Sequence, residues 1–290
     1  MGLRFKFNLV LLVFFFLGLA VTAYVSRSLL QKNAREEVER NGGLMMEAAL
    51  AIRGYTINQI RPQLELQLMR VFLPQSVPAY AATETLNELR KKHPDYFYKE
   101  ATLNPTNPRN RAADWEADLV QEFRNRADLK ELIGERDTPT GRALYIARPI
   151  QIGNPACLTC HSTPEAAPAT MIKLYGPANG FGWKLNEVVG AQVVSVPMSL
   201  PLRSAQNAFY AFMGSLVAVF ALLFVALNVM LNWLIVKPIA RMSHVADQVS
   251  IGNFEIPEFP ERGKDEIALL GRAFNRMRRS LQKAMQMIEG

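Results

Sequence analysis

Two apolar stretches set the first constraint on this chain. Residues 9–24 read LVLLVFFFLGLAVTAY behind Arg4 and Lys6, and residues 208–236 contain no charged side chain. Roughly 20 apolar residues span a hydrocarbon core, so the second stretch is long enough to cross with some tilt or an interfacial end. Asn228, Asn232 and Trp233 lie near that end, where an amphipathic belt is expected. The first stretch has a short basic start and ends in VTA at Ala23, which also fits a cleavable signal peptide. We read it as an uncleaved signal anchor, because the tail beyond the second stretch needs a membrane-coupled pair of helices.

Charge bias gives the expected orientation. Lys237 and Arg241 flank the second span on one side and Arg203 alone on the other, which puts the C-terminus in the cytoplasm. Arg27, Lys32 and Arg35 follow the first span and make it a less decisive marker. The expected division is an N-terminal transmembrane helix over 1–26, an extracytoplasmic (periplasmic) domain over 27–207, a second transmembrane helix over 208–236 and a cytoplasmic segment over 237–290. The expected location is the inner membrane.

The net charge of +7 is spread along the chain without a Lys/Arg block, so it carries no nucleic-acid meaning; a solvated surface near anionic lipid is the plainer reading. The only two cysteines are three residues apart, so no long-range disulfide staples the fold and its core must come from packing.

Between the spans, the fours of Leu44, Ala48 and Ile52 predict a long helix from 27 to about 70, which Pro62 kinks or ends. LPQSVP at 73–78 is a loop, and a second helix runs from 79 to about 92. The Asn/Pro-rich run 104–110 forms turns. Trp115, Leu119 and Phe123 mark an amphipathic helix over 114–126. RALYIARPIQI and EVVGAQVVSVPM then read as strands, making a mixed domain with helices first and sheet later.

Between those strands lies CLTCH, Cys157 to His161. Two thiols three residues apart on a turn can each add to one vinyl group of a haem, and the adjacent imidazole then faces the iron as proximal ligand. A thioredoxin-type dithiol favours a helix N-terminus rather than this Pro-rich loop. A structural zinc site needs four ligands, and only His93 and His244 remain as further histidines. The expected cofactor is one covalent haem c held by Cys157, Cys160 and His161. For the sixth ligand, Met45, Met46 and His93 are candidates, each with a plainer reading as a core or helix-end residue; a five-coordinate iron is a further alternative.

After Val236, Ile239, Met242, Ala246 and Val249 are spaced 3, 4, 3. A connector with Gly252, Phe254 and Ile256 follows, and Asp265 and Glu266 open a second helix. Its apolar series Ile267, Leu270, Phe274, Met277, Leu281, Ala284 and Ile288 alternates threes and fours, a coiled-coil seam. Proline start, extended connector and acidic pair resemble the HAMP linker over about 237–283, which implies a parallel four-helix bundle made by two subunits. The plain alternative is an amphipathic hairpin on the lipid surface.

YTINQIRP, NPTNPRNRAADWE, LYIARPI, CLTCH and YGPANGFGWKLNEVVGAQVVSVP, in that order over about 44–200, resemble the c-type haem sensor family known as DUF3365 or Tll0287-like, here followed by HAMP. The resemblance implies an α+β, PAS-like haem-binding sensor domain between two transmembrane helices, with a C-terminal helical coiled-coil segment. It assigns the thioether bonds to Cys157 and Cys160 and the proximal ligand to His161. Some relatives place an axial cysteine in the segment matching FLPQSVP; this chain has none there.

These readings predict a homodimeric, non-enzymatic sensor of redox state or a diatomic gas, signalling to a separate cytoplasmic protein. A membrane-anchored electron-transfer cytochrome is the alternative, which leaves the heptad tail idle. An enzyme such as a haem peroxidase would need a distal acid/base, for which only His93 offers itself.

Overall fold

The computed structural model describes residues 2–260 and 263–289. Met1 and Gly290, the ends of the first and last expected segments, lie outside them, as does the side chain of Ile288, the last position of the expected seam. The chain forms two compact units, one of residues 27–208 and one of residues 1–26 with 209–290.

The 27–208 unit is built on a four-stranded antiparallel sheet with strand order β1-β4-β3-β2, where β1 is Phe97–Thr102, β2 Leu132–Thr138, β3 Gly141–Gln151 and β4 Val188–Pro197. Central β4 is buried on both faces over 189–196, which explains its near-continuous valine run. One face takes helix α1 (Leu3–Tyr55), whose Val38, Met45, Met46 and Ala49 pack with Leu144, Ile146, Val194 and Val196. Gly42 lets that helix come close: a Cβ there would lie 2.9 Å from Ile146 Cδ1. Helix α3 (Pro78–Lys92) adds Ala82 and Leu86 to the same core. The other face takes helix α4 (Asp114–Asn125), with Leu119, Val120 and Phe123 against Ala101, Ala147, Ala191 and Val193. Two short helices, α5 (Leu158–His161) and α6 (Ala169–Tyr175), lie in the segment between β3 and β4.

The helical path begun by α1 continues to Leu68, through a π turn at Thr56–Ile60, a 3-10 turn at Arg61–Leu64 and a short α2 (Glu65–Leu68). Pro62 has no N–H and its ring crowds the carbonyl four residues back. The turn before it therefore widens, and the Arg61 N–H bonds to the Thr56 carbonyl. The same device recurs in the second unit, where the Lys237 N–H reaches the Asn232 carbonyl just before Pro238. Strands β1 and β2 are additions to the two strands expected from sequence.

In the second unit, α7 (Ser199–Leu231) passes through the π turn Asn232–Val236 into α8 (Lys237–Ser250), so the apolar helix and the following helix are one path. Two helical stretches, within Arg4–Leu68 and Ser199–Ser250, are long and apolar enough to cross a membrane. Phe15 and Phe220 stack between them at 3.5 Å, while Phe14, Leu17 and Leu222 face outward.

The last helix, α9 (Glu266–Glu289), is capped by Asp265, whose carboxylate accepts from the Ala268 N–H at 2.8 Å. Its buried face is not the expected seam. Gly271, Asn275 and Arg278 lie under the connector. The Asn275 amide binds both backbone groups of Phe259, accepting from its N–H at 3.1 Å and donating to its carbonyl at 2.9 Å. Arg278 donates to the Phe254 carbonyl at 2.5 Å, and Arg279 pairs with Glu258. Leu270, Met277 and Leu281 of the expected seam stay exposed in the single chain.

Candidate thiol–imidazole site

CLTCH occupies a single helical turn in the loop after β3. Asn154 starts it: its side-chain oxygen accepts from the Ala156 N–H at 2.9 Å, and its carbonyl accepts from the Cys157 N–H at 3.0 Å. A 3-10 turn (Pro155–Cys157) then leads into the one-turn helix α5. Residues three apart on such a turn share a face, so Cys157 and Cys160 present both thiols on one side. Both are free and half-buried.

His161 closes the turn and is held by segments far away in sequence. Its Nδ1 lies 2.8 Å from the Gly180 carbonyl oxygen and 3.5 Å from Thr106 Oγ1, and its ring stacks on Trp183 at 3.9 Å and 14°. A carbonyl only accepts, so Nδ1 carries the proton and Nε2 keeps its lone pair. Burial pushes the His161 pKa below the ordinary histidine value, against the smaller upward pull of the Gly180 carbonyl. The imidazole is thus neutral, the form that ligates metal.

The loop around it is built from glycine and asparagine. Gly180 has φ +85°, and a Cβ there would run into Thr106, so the position suits glycine alone. Asn104 grips the same loop from two sides, accepting from the Gly180 N–H and donating to the Phe181 carbonyl. The N–H groups of Gly182 and Trp183 return to the carbonyls of Ser162 and His161. Segment 104–110, read from sequence as turns, and the glycine-rich segment 175–183 thereby form one cradle; the residues that hold His161 lie 19 to 55 positions away, and spacing within a motif cannot reveal them.

Arginines from the end of the α1 path lie close enough to act on the thiols. Burial raises the Cys160 pKa, Arg61 lowers it in part and Cys157 raises it. The thiol is kept protonated rather than activated, unlike the depressed thiol of a redox dithiol. Arg53 belongs to a buried network beside Cys157. It meets both Glu100 oxygens at 2.5 Å, the Tyr98 hydroxyl donates to Glu100 at 2.8 Å, and Gln192 donates to Tyr98 at 3.2 Å. Burial works against Arg53's charge, yet the Glu100 carboxylate holds its pKa above the ordinary value. Nothing in the spacing of FYKEAT announced this network.

Of the candidates for a sixth ligand, Met45 and Met46 are core residues on α1, and His93 ends α3, edge-on to Tyr96 at 5.8 Å. Among the described residues no group of three or more His, Cys, Asp or Glu is placed to hold a metal ion. Two thiols on one turn beside a neutral imidazole with a free Nε2 do fit the demands of a covalently attached haem.

Comparison with known proteins agrees in the order of the two parts, while the HAMP match begins at 222, ahead of the expected 237. The model of the Tll0287-like family (Tll0287) matches residues 31–197, and that of the HAMP domain matches residues 222–283. A solved structure titled as that of the cyanobacterial haem protein Tll0287 is similar at 17% identity, covering 51% of this chain and 92% of that one, with a TM-score of 0.39. Among curated proteins none matches. The chain belongs to the Tll0287-like family, with a HAMP domain following the family's own domain.

Proposed function

We propose that this protein is a membrane-bound sensor of redox state or a diatomic gas. In this reading residues 27–207 form an extracytoplasmic PAS-like domain carrying one haem c, bonded through the sulfurs of Cys157 and Cys160 and ligated by His161. Residues 1–26 and 208–236 cross the inner membrane. The HAMP segment, residues 237–290, passes the signal as a homodimer to a separate cytoplasmic partner. The observation that carries it is His161 Nδ1 held 2.8 Å from the Gly180 carbonyl, which leaves Nε2, without a partner among the described residues, as the ligating nitrogen beside two thiols on one turn.

A bound haem supplies an iron whose charge changes by one on oxidation and which accepts small diatomic ligands. The chain's own residues carry the response onward. Gly180, Thr106 and Trp183 fix the imidazole's direction and plane, so a displacement of His161 is felt by the loop 176–183. Arg53 and Arg61 stand beside the thiol turn, on the helical path that begins in the first apolar stretch. The continuous path from α7 into α8 offers the route to the HAMP helices. The exposed Leu270, Met277 and Leu281 supply the dimer seam. An input moves such an equilibrium only by its differential affinity for the two packings.

Cross-linking separates sensing from electron carriage. With Met277→Cys in membrane vesicles, sensing predicts that the yield of a redox-neutral bismaleimide cross-link between copies changes at least twofold between dithionite-reduced and ferricyanide-oxidised samples freed of reagent, or on adding carbon monoxide. A cross-link yield indifferent to both, together with rapid electron exchange with a respiratory donor, favours the carrier.

A further inference from the structure

A cleft of about 330 Å³ opens on the α4 face of the sheet, and the thiol–imidazole site makes no use of it. The strand register locates it. Its floor includes Phe97, Ser195 and Ala143, where β1 begins, β4 ends and β3 begins. The thiol turn follows the other end of the sheet, beyond Thr102, Gly190 and Ile150. From Phe97 to Thr102 is five residue steps, about 17 Å at the rise of a strand. The two places are independent.

The walls are largely carbon, from Phe97, Trp115, Ala143 and Pro197, but the charge left in the cleft is positive. Glu116 is committed to Lys99 at 2.6 Å and Arg142 to Glu135 at 2.7 Å. Arg136 lies over the Trp115 ring, its Cζ 4.0 Å from the centroid, and has no carboxylate partner among the described residues. Stacking uses the face of a guanidinium and leaves its in-plane N–H fork free, the geometry that takes a carboxylate with two parallel hydrogen bonds. Arg90, over Phe97 at 5.1 Å, adds a second cation at the rim, against the single exposed carboxylate of Asp95. On the floor, Ser195 is only 5% exposed and lines the cleft. A hydroxyl there can donate to a ligand oxygen.

We propose that this cleft binds a small organic acid with a flat apolar body, its carboxylate on the fork of Arg136 and Ser195 and its body against Trp115 and Phe97. The site is a second input to the sensor domain and does not rest on the haem reading.

Calorimetric titration of the full chain in detergent with sodium benzoate tests it, with benzamide as the uncharged ligand of the same shape. We expect saturable benzoate binding, weakened at least tenfold by Arg136→Gln and severalfold by Ser195→Ala, and no saturable binding of benzamide. Affinity for benzoate should be equal in pigmented and pigment-free protein. Absence of saturable benzoate binding at millimolar concentration, equal binding of benzamide, or an Arg136→Gln affinity equal to the parent's overturns the proposal. Ser195→Ala, at a small floor position, keeps the test decisive should Arg136→Gln fail to fold.

Discussion

Strand β1 carries a charge inward on each face, and each finds its partner on the helix covering that face. Glu100 meets Arg53 of α1, and Lys99 meets Glu116 of α4. Removing one member of such a pair leaves the other buried and uncompensated. Tyr98 sits within this network, and burial first, then the Glu100 carboxylate, holds its phenol proton far above the ordinary value of 10.0. Above that value the unfolded chain gives up the proton while the folded one keeps it, so the folded state binds more protons and stability falls as pH rises. Tyr98→Phe should therefore lose about 1–2 kcal/mol at neutral pH from the missing hydrogen bond, yet lose less further stability than the parent between pH 10 and 11. Denaturant titrations at pH 7, 10 and 11 check both parts, and parallel curves for parent and variant contradict the second. At the thiol turn, Gly180→Ala places a Cβ at φ +85° against Thr106. We expect a loss of about 1–3 kcal/mol in chemical unfolding and a shifted absorption band in the pigmented protein as His161 loses its carbonyl partner; an unchanged band and midpoint contradict this. Cys157, Cys160 and His161 were legible because their chemistry is local. Thr106, Gly180 and Trp183 were not, because tertiary folding alone brings them to the imidazole.

Among the elements, α3 and α4 followed their apolar periodicity to within a residue or two, and β3 and β4 their alternation and valine content; the long helix formed but turned another face inward, burying Met45, Met46 and Ala49 where the expected Leu44 and Ala48 are exposed. The two strands that escaped share a physical reason. In β1 the inward positions Tyr98, Glu100 and Thr102 include polar groups satisfied by tertiary partners, which erases the apolar alternation. In edge strand β2 (LIGERDT) Glu135 pairs with Arg35 and Arg142, and Arg136 lies over Trp115, so its charges too are held by tertiary partners. The heptad series on α9 read well as an apolar face, while the face that packs within the chain uses glycine, asparagine and arginine against backbone groups of the connector. Asn275→Leu should leave the Phe259 N–H and carbonyl without partners, at about 2 kcal/mol. Protease cleavage in the connector of the membrane-embedded protein should rise severalfold, and a cleavage rate matching the parent's contradicts the clasp.

Across the whole molecule, a family domain between two apolar helices and a HAMP domain after the second give the plan of a signalling protein. The order of these parts was legible because lipid-spanning length, motif chemistry and heptad spacing are each written in contiguous residues. The cleft on the α4 face was not, since Arg90, Trp115, Arg136 and Ser195 come from four separate elements. A porphyrin bonded through sulfur is the feature on which the sensor reading depends. Intact-mass spectrometry of the chain, made in a host competent for c-type maturation and denatured in acidified organic solvent, tests this most directly. We predict a mass increased by one haem that survives extraction, and no increase when Cys157 and Cys160 are both changed to alanine; the unmodified mass, with all pigment in the solvent, contradicts it.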